Sequence, residues 1–519
     1  MKPIAKIALA GVIGGLIVAG LWLSVPAFAE RSAVEVTAEG GGVYHVFPPE
    51  DGFTVTVTAT VVSGPVPETL AYQWVDFRGR PLSQPASLTL DRPQRIPSPS
   101  EHMTVGYYGL LLLPSEGVDF NPASGARREI GFAVLPKAEP RRPDPDSRFG
   151  LVHFDDRDPY LDPGWMKTTT EVQAGWDGKD IDAAAWQALL SDRRAAGQIE
   201  LPLIMGDTWK SGSPDQIRRL MAALFAADPG SAEVPAVPAY ELGLEENLGP
   251  GDYRAKLAET AEKFRAAQEE KARLAPSVKL AYQVAGTDIG PYRALFESPL
   301  ARRIDILAAH PYPWHGWPTP DAWHDKFLDD IRAAMAANGL DIPIWYTEAG
   351  AVQNDANVPV IFSGAKPTGH GLSRANYAAY LVKLHAHAFA KGVSKVFWYN
   401  YRDRTISTTD AEAHFGLRDY WGYPKPGYLA YAATLRCMKH RTPSPITTRD
   451  GIVTYRFHGQ DSDCIVAWAS SDTIRPVGLD ELGVKSGVAE AFDLVGTPID
   501  VSTSSIDIGS YPVFLIAQP

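Results

Sequence analysis

The sequence predicts a (β/α)8 barrel flanked by an N-terminal β-sandwich and a small C-terminal β domain. Three observations lead there. Between residues 149 and 440, eight apolar strand-like runs alternate with helix-patterned segments. The segment before them, 32–135, carries period-two β patterning broken by Gly, Pro and Ser. The segment after them, 441–519, returns to short β runs. At 519 residues the chain is longer than one hydrophobic core organises, so several domains are expected.

The elements follow in chain order. Residues 1–29 read as an export signal: Lys2 and Lys6 precede an apolar run from Ile7 to Leu23. Ala27 and Ala29 then stand in small-x-small spacing, with cleavage expected after Ala29. The run is close to membrane-spanning length, so an uncleaved anchor is the alternative, and the bulk of the chain leaves the cytosol in either case. "FTVTVTATVV" (53–62) alternates β-branched residues as a half-buried strand does, and the sandwich runs 32–135. "PKAEPRRPDPDSR" (136–148) is a proline-rich, charged linker.

The barrel strands are expected at "FGLVHFD" from Phe149, "TTTEVQAGW" from Thr168, "IELPLIMGD" from Ile199 and "PAYELGLEE" from Pro238. They continue at "VKLAYQVAG" from Val278, "IDILAAHPY" from Ile304, "IPIWYTEAG" from Ile342 and "SKVFWYNY" from Ser394. Helices such as "YRAKLAETAEKFRAAQEEKARL" separate most of them. The first crossover, "RDPYLDPGWMK", has room only for a short one. An open doubly wound sheet would alternate too, but no glycine-rich phosphate loop follows the first strand.

Charge and cysteine count narrow the chemistry. A net charge of −12 without a long basic run argues against nucleic acid as partner. Cys437 and Cys464 are the two cysteines; they cannot build a metal site alone, and either a disulfide or two buried thiols fits. No cofactor and no metal is expected, and the chain is expected to be a monomer.

Barrel chemistry sits at the C-terminal ends of the strands. The fourth run ends "LGLEEN" and the seventh "WYTEAG". Alternation places Glu241, Gly243 and Glu245 on one face and Glu246 on the other, and puts Tyr346 and Glu348 together. Two carboxylates across one mouth suit glycosidic bond cleavage: one gives a proton to the departing sugar oxygen, the other attacks the anomeric carbon. Glu245 and Glu348 are the catalytic candidates, with Glu246 the fallback acid if the register slips by one. Aromatic residues crowd the same ends, as sugar faces require. Trp209, His310, Tyr312, Trp314 and Trp398 are the candidate substrate-binding residues, and Trp176 belongs to the same aromatic set. The expected partner is therefore a polysaccharide or oligosaccharide.

"YELGLEEN", "HPYPW", "WYTEAG" and "VFWYNYRD", in that order, resemble clan A of the glycoside hydrolases, most closely family 39 and related bacterial exopolysaccharide hydrolases. The resemblance implies a retaining double-displacement enzyme with Glu245 as acid/base, Glu348 as nucleophile, Tyr312 as its hydrogen-bond partner and Trp398 as the platform under the reacting sugar. Two departures stand out. Leu244 occupies the place where the family has Asn, and the expected second strand lacks the clan's Arg. They leave two alternatives open: a non-catalytic polysaccharide-binding protein on the same barrel, and a transglycosylase.

Overall fold

Eight parallel strands close into a barrel in the computed structural model, which describes residues 32–518 apart from 65–69, 114–117, 120–128, 170–173, 232–233, 314–315, 356–358, 362–366, 408, 485–486 and 502–503. The barrel strands are Phe149–Val152, Trp165–Thr169, Ile199–Ile204, Ala239–Leu242, Lys279–Ala285, Ile306–His310, Ile344–Ala349 and Lys395–Trp398. Each pairs in parallel with its neighbour, and Phe149 opposite Val396 closes the ring. These strands read as near-continuous apolar runs because helices cover their outer face.

The helices start where the sequence supplies caps. Asp182, Ser213, Asp252, Asp288 and Ser373 each accept a backbone N–H of the first turn, and Ser213 with Gln216 forms a reciprocal capping box. Pro426 opens the helix Pro426–Met438 that completes the barrel, and its Tyr431 hydroxyl donates to the Gly150 carbonyl at 2.9 Å.

Two details differ from the sequence reading. The first crossover, residues 153–164, contains no helix. The second strand is "WMKTT", from Trp165 to Thr169, rather than a run beginning at Thr168. The β-branched "TTTEV" suggested a strand, but burial decides the matter. Trp165 and Met166 are buried in the barrel, whereas 170–173 lie outside the described residues. This shift brings Lys167 into the barrel wall.

The base of the barrel is plugged by Trp165, Trp345 and Lys395. The Lys395 ammonium lies 4.5 Å and 5.1 Å from the two indole rings and donates to the carbonyls of Pro145 and Ser147. Burial lowers its pKa to about 8. The linker carbonyls thus satisfy a cation that closes the end opposite the mouth.

The flanking domains are both β. In the N-terminal one a four-stranded and a five-stranded sheet face each other, with Val55, Val57, Trp74, Leu110 and Phe132 between them. The loop after the eighth barrel strand anchors it: the Tyr423 hydroxyl donates to the Ala38 carbonyl at 2.7 Å and accepts the Ala38 N–H at 3.1 Å. The C-terminal domain is a six-stranded sheet with a two-stranded one beside it. A Cys437–Cys464 disulfide ties it to the last barrel helix. No helix among the described residues is long and apolar enough to cross a membrane; the N-terminal apolar run lies outside them.

Candidate active site

Strand four ends at Leu242, and the chain then turns sharply. Gly243 has φ +86°, and a Cβ there would meet the Trp209 indole nitrogen at 2.8 Å. Glu245 itself has φ +43°, an uncommon conformation for a residue with a side chain, and one that clusters at functional sites. Strand five holds the turn in place. The Gln283 side chain accepts the Glu245 N–H at 3.2 Å and donates to the Gly243 carbonyl. Asn247 exchanges two hydrogen bonds with the backbone of Ala285, at 2.8 Å and 3.0 Å. The Glu245 carboxylate therefore projects over the mouth, and Glu246 points the other way.

Strand seven delivers its carboxylate differently. Thr347 points into the barrel, donating to Glu241 at 2.9 Å, while the Tyr346 hydroxyl meets His324 at 3.0 Å in the helix layer. An irregularity between Tyr346 and Ala349 breaks the alternation and lets Glu348 reach the mouth. Tyr346 and Glu348 do not share a surrounding; simple parity fails here because of this bulge.

Charged and hydroxyl side chains from several strands then meet. The Lys167 ammonium lies 2.9 Å from Glu348 and 3.0 Å from Glu241. His310 Nδ1 lies 2.9 Å from Glu245 and 3.8 Å from Glu348, and its Nε2 lies 3.0 Å from the Thr347 hydroxyl. The Tyr312 hydroxyl donates to Glu348 at 3.4 Å. One oxygen of Glu245, one oxygen of Glu348 and a His310 nitrogen lie within 4.8 Å of one another.

The electrostatics follow from burial and pairing. Burial alone would raise the Glu348 pKa, but Lys167 and His310 outweigh it and hold the carboxylate below its usual range. Glu241, fully buried beneath, is held at about 2 against its burial by Lys167 and His310. Burial pulls the His310 imidazole down, yet the surrounding carboxylates raise it to about 9, so it is an imidazolium at neutral pH. Two cations thus face three carboxylates. Glu241 and Glu348 both touch Lys167; Glu245, the most exposed of the three at 24%, does not.

The remaining candidates fall in several places. Glu246 accepts from the Trp209 indole at 2.9 Å, Thr260 at 3.0 Å and Tyr282 at 2.8 Å, outside the barrel wall and away from the mouth. Trp209 is its buried partner and lines no part of the mouth cavity. Trp398 is fully buried, its indole donating to Tyr377 at 3.1 Å, so it offers no platform to a ligand. Trp314 lies outside the described residues.

The mouth cavity has a volume of about 270 Å³, the scale of one sugar ring rather than a chain. Leu203, Met205 and Leu244 make its apolar wall. Opposite stand Tyr399, Arg404 and Glu412, with the Tyr399 hydroxyl donating to Glu412 at 2.7 Å. Sequence reading missed Lys167, Thr347, Arg404 and Glu412. Only Lys167 had a findable signal: a lysine flanked by buried residues in "WMKTT" has to be paired.

Among the described residues two groups could hold a cation: Glu245, His310 and Glu348 at the mouth, and His324, Asp325 and His387, the first two at the start of helix His324–Ala337. In the first, Lys167 already supplies the positive charge and both His310 nitrogens are engaged. In the second, Asp325 takes Lys391 at 3.5 Å and His387 takes Asp321 at 2.9 Å. Neither set needs an ion to balance its charges.

No protein-family model and no curated protein matches the chain. Among solved structures it is similar to a family 39 glycoside hydrolase from the gut symbiont Bacteroides cellulosilyticus WH2. The identity is 15%, the alignment covers 93% of this chain and 100% of that one, and the TM-score is 0.64. A glucosidase from Croceicoccus marinus aligns at 13% identity over 74% of this chain and 96% of its own, with TM-score 0.48. A family 30 subfamily 8 xylanase, Xyn30A, from Clostridium acetobutylicum aligns at 13% over 72% and 95%, with TM-score 0.45. The first likeness establishes a shared fold across the barrel and both flanking domains.

Proposed function

We propose that this chain is an exported, retaining glycoside hydrolase acting on a polysaccharide or oligosaccharide. The observation that carries the reading is the approach of the Glu245 and Glu348 carboxylates to within 4.8 Å over the barrel mouth, with Lys167 on Glu348 and not on Glu245. Retaining enzymes keep their two carboxyl groups about 5–5.5 Å apart; inverting ones leave room for a water.

In the first step Glu348 attacks the anomeric carbon while the bond to the glycosidic oxygen breaks and Glu245 protonates that oxygen. A glycosyl ester on Glu348 results. Its formation removes the negative charge beside His310, whose Nδ1 stays 2.9 Å from Glu245 and holds that carboxyl group over the ester. Glu245 then takes a proton from water, the water oxygen attacks the anomeric carbon, and the ester bond breaks to restore Glu348. Tyr312 and Lys167 hold the nucleophile in place throughout. The Lys167 ammonium fills the role for which the clan's arginine was missed.

The basic start, apolar run and small-x-small site of residues 1–29 support export, as does a disulfide between Cys437 and Cys464. Mass spectrometry of the chain recovered from its host tests cleavage: a mature start at Glu30 supports a removed signal, and an intact Met1 supports an anchor.

The activity test is incubation of the full chain with a panel of polysaccharides and of 2,4-dinitrophenyl monoglycosides. Reducing ends are counted, and the first product's anomer is read by proton NMR. Release with retained configuration, abolished in Glu348→Gln, is expected. No release from any substrate at high enzyme load overturns the reading in favour of a binding protein, and first product of opposite configuration overturns retention.

A further inference from the structure

Trp176 was singled out in the sequence, yet the pocket between Glu245 and Glu348 does not use it. It lines a second cavity, of about 250 Å³, together with Asp207, Thr208, Ser211 and Gln216. Trp176 follows the second barrel strand and the other four follow the third. These strands run parallel to the fourth, so the segments after them share the mouth face with Glu245. The linings of the two cavities come close in the chain. Met205 lines the catalytic one and Asp207, two residues on, lines the outer one; two trans peptide steps span at most about 7.6 Å.

The outer cavity has the make-up of a carbohydrate site. Trp176 is half-buried, packed against the barrel core on one side, so its ring is held while the other side lines the cavity. A fixed indole suits the apolar C–H face of a sugar. Around it stand short hydroxyl, amide and carboxylate side chains, which take hydroxyl hydrogen bonds; the Asp207 side chain is exposed. Neither cavity alone is large enough for more than about one ring.

We propose that this rim cavity is a second sugar subsite, so that the protein holds at least two units of one saccharide chain, one between the carboxylates and one on Trp176. The proposal rests on the glycoside-hydrolase reading and adds where a second unit of its saccharide is held. Binding on the rim acts at a distance from the reacting bond, and contacts of this kind raise turnover of long substrates without touching short ones.

The test uses the full chain, the dinitrophenyl monoglycoside that it cleaves best, and oligosaccharides of the same sugar from two to six units. In the wild type, kcat/KM is expected to climb steeply with length. Trp176→Ala is expected to lose about tenfold or more on the longer oligosaccharides and to match the wild type on the monoglycoside. Trp176→Phe, which keeps a ring, is expected to restore part of the loss, and Asp207→Ala to share the length-dependent pattern. A Trp176→Ala loss equal on long and short substrates, or no loss on either, overturns the subsite. A wild type that cleaves nothing overturns the glycoside-hydrolase reading instead. Titrating that inactive protein with the two- to six-unit oligosaccharides while following tryptophan fluorescence then decides the subsite: a Trp176-dependent response supports it, and a response unchanged in Trp176→Ala, or no response, rejects it.

Discussion

Replacing Lys167 by Met removes the cation on which the nucleophile depends. Its ammonium is 1% exposed and touches two carboxylates, Glu348 at 2.9 Å and Glu241 at 3.0 Å. At 2.9 Å and an effective dielectric of about 20, one such pair attracts by about 6 kcal/mol. Desolvating the ammonium offsets several kcal/mol of that, and removing one partner of a buried pair costs about 3–5 kcal/mol net. With Lys167 gone, burial and the charge on Glu241 both push the Glu348 pKa upward, opposed by His310 and the Tyr312 hydroxyl. The wild-type carboxylate keeps its charge below the usual carboxylate range, and the variant's takes up a proton at higher pH than the wild type's. The expected result is an acid limb of kcat/KM moved up by about one pH unit or more, with kcat/KM at neutral pH down roughly 10²-fold. The assay is a pH profile on the best dinitrophenyl glycoside, with circular dichroism to confirm folding. A folded Lys167→Met chain with an unmoved acid limb and kcat/KM within about threefold of wild type refutes the reasoning.

Three further outcomes are expected. Glu246→Gln weakens the contacts to Trp209, Thr260 and Tyr282 and lowers stability by about 1–3 kcal/mol in denaturant melts, while kcat is kept; loss of turnover with unchanged stability shows instead that Glu246 is the acid. His310 is raised from 6.5 to about 9 on folding, so its contribution of about 3 kcal/mol is fully present below pH 6.5 and is lost as pH rises through about 9. Thermal melts across that range should fall more steeply for wild type than for His310→Gln. Replacing Cys437 and Cys464 by Ala opens a loop of 27 residues and should cost about 3.5 kcal/mol, read as a shift in the denaturant midpoint.

The barrel was legible because its cause is local and repeated. Each strand run and each capped helix is a short-range pattern, and eight repeats compensate for the misplacement of one. The second strand was misread because "TTTEV" and "WMKTT" both suit a strand; the burial of Trp165 and Met166 against the rest of the barrel chose between them. Side-chain direction at strand four followed from alternation up to Leu242. At strand seven alternation misled, because a bulge is set by the neighbouring strand and not by the residues that form it.

The aromatic residues show the same division. Trp209, Trp398 and Trp176 look alike in sequence, each near a strand end. One became a hydrogen-bond donor to Glu246, one a core residue on Tyr377, and one a wall of the rim cavity. No short-range pattern separates these outcomes, since each depends on which helix packs over the ring.

By itself the sequence determined the architecture and the inventory of acids at the strand ends, because periodicity and capping act between residues a few positions apart. The tertiary structure alone decided the charge state of the site. Lys167, His310 and Glu348 come from strands two, six and seven and Glu245 from the turn after strand four, and electrostatic coupling depends on distance in space. Only closure of the barrel brings those four groups within reach of one another and out of water, where their charges must be settled among themselves.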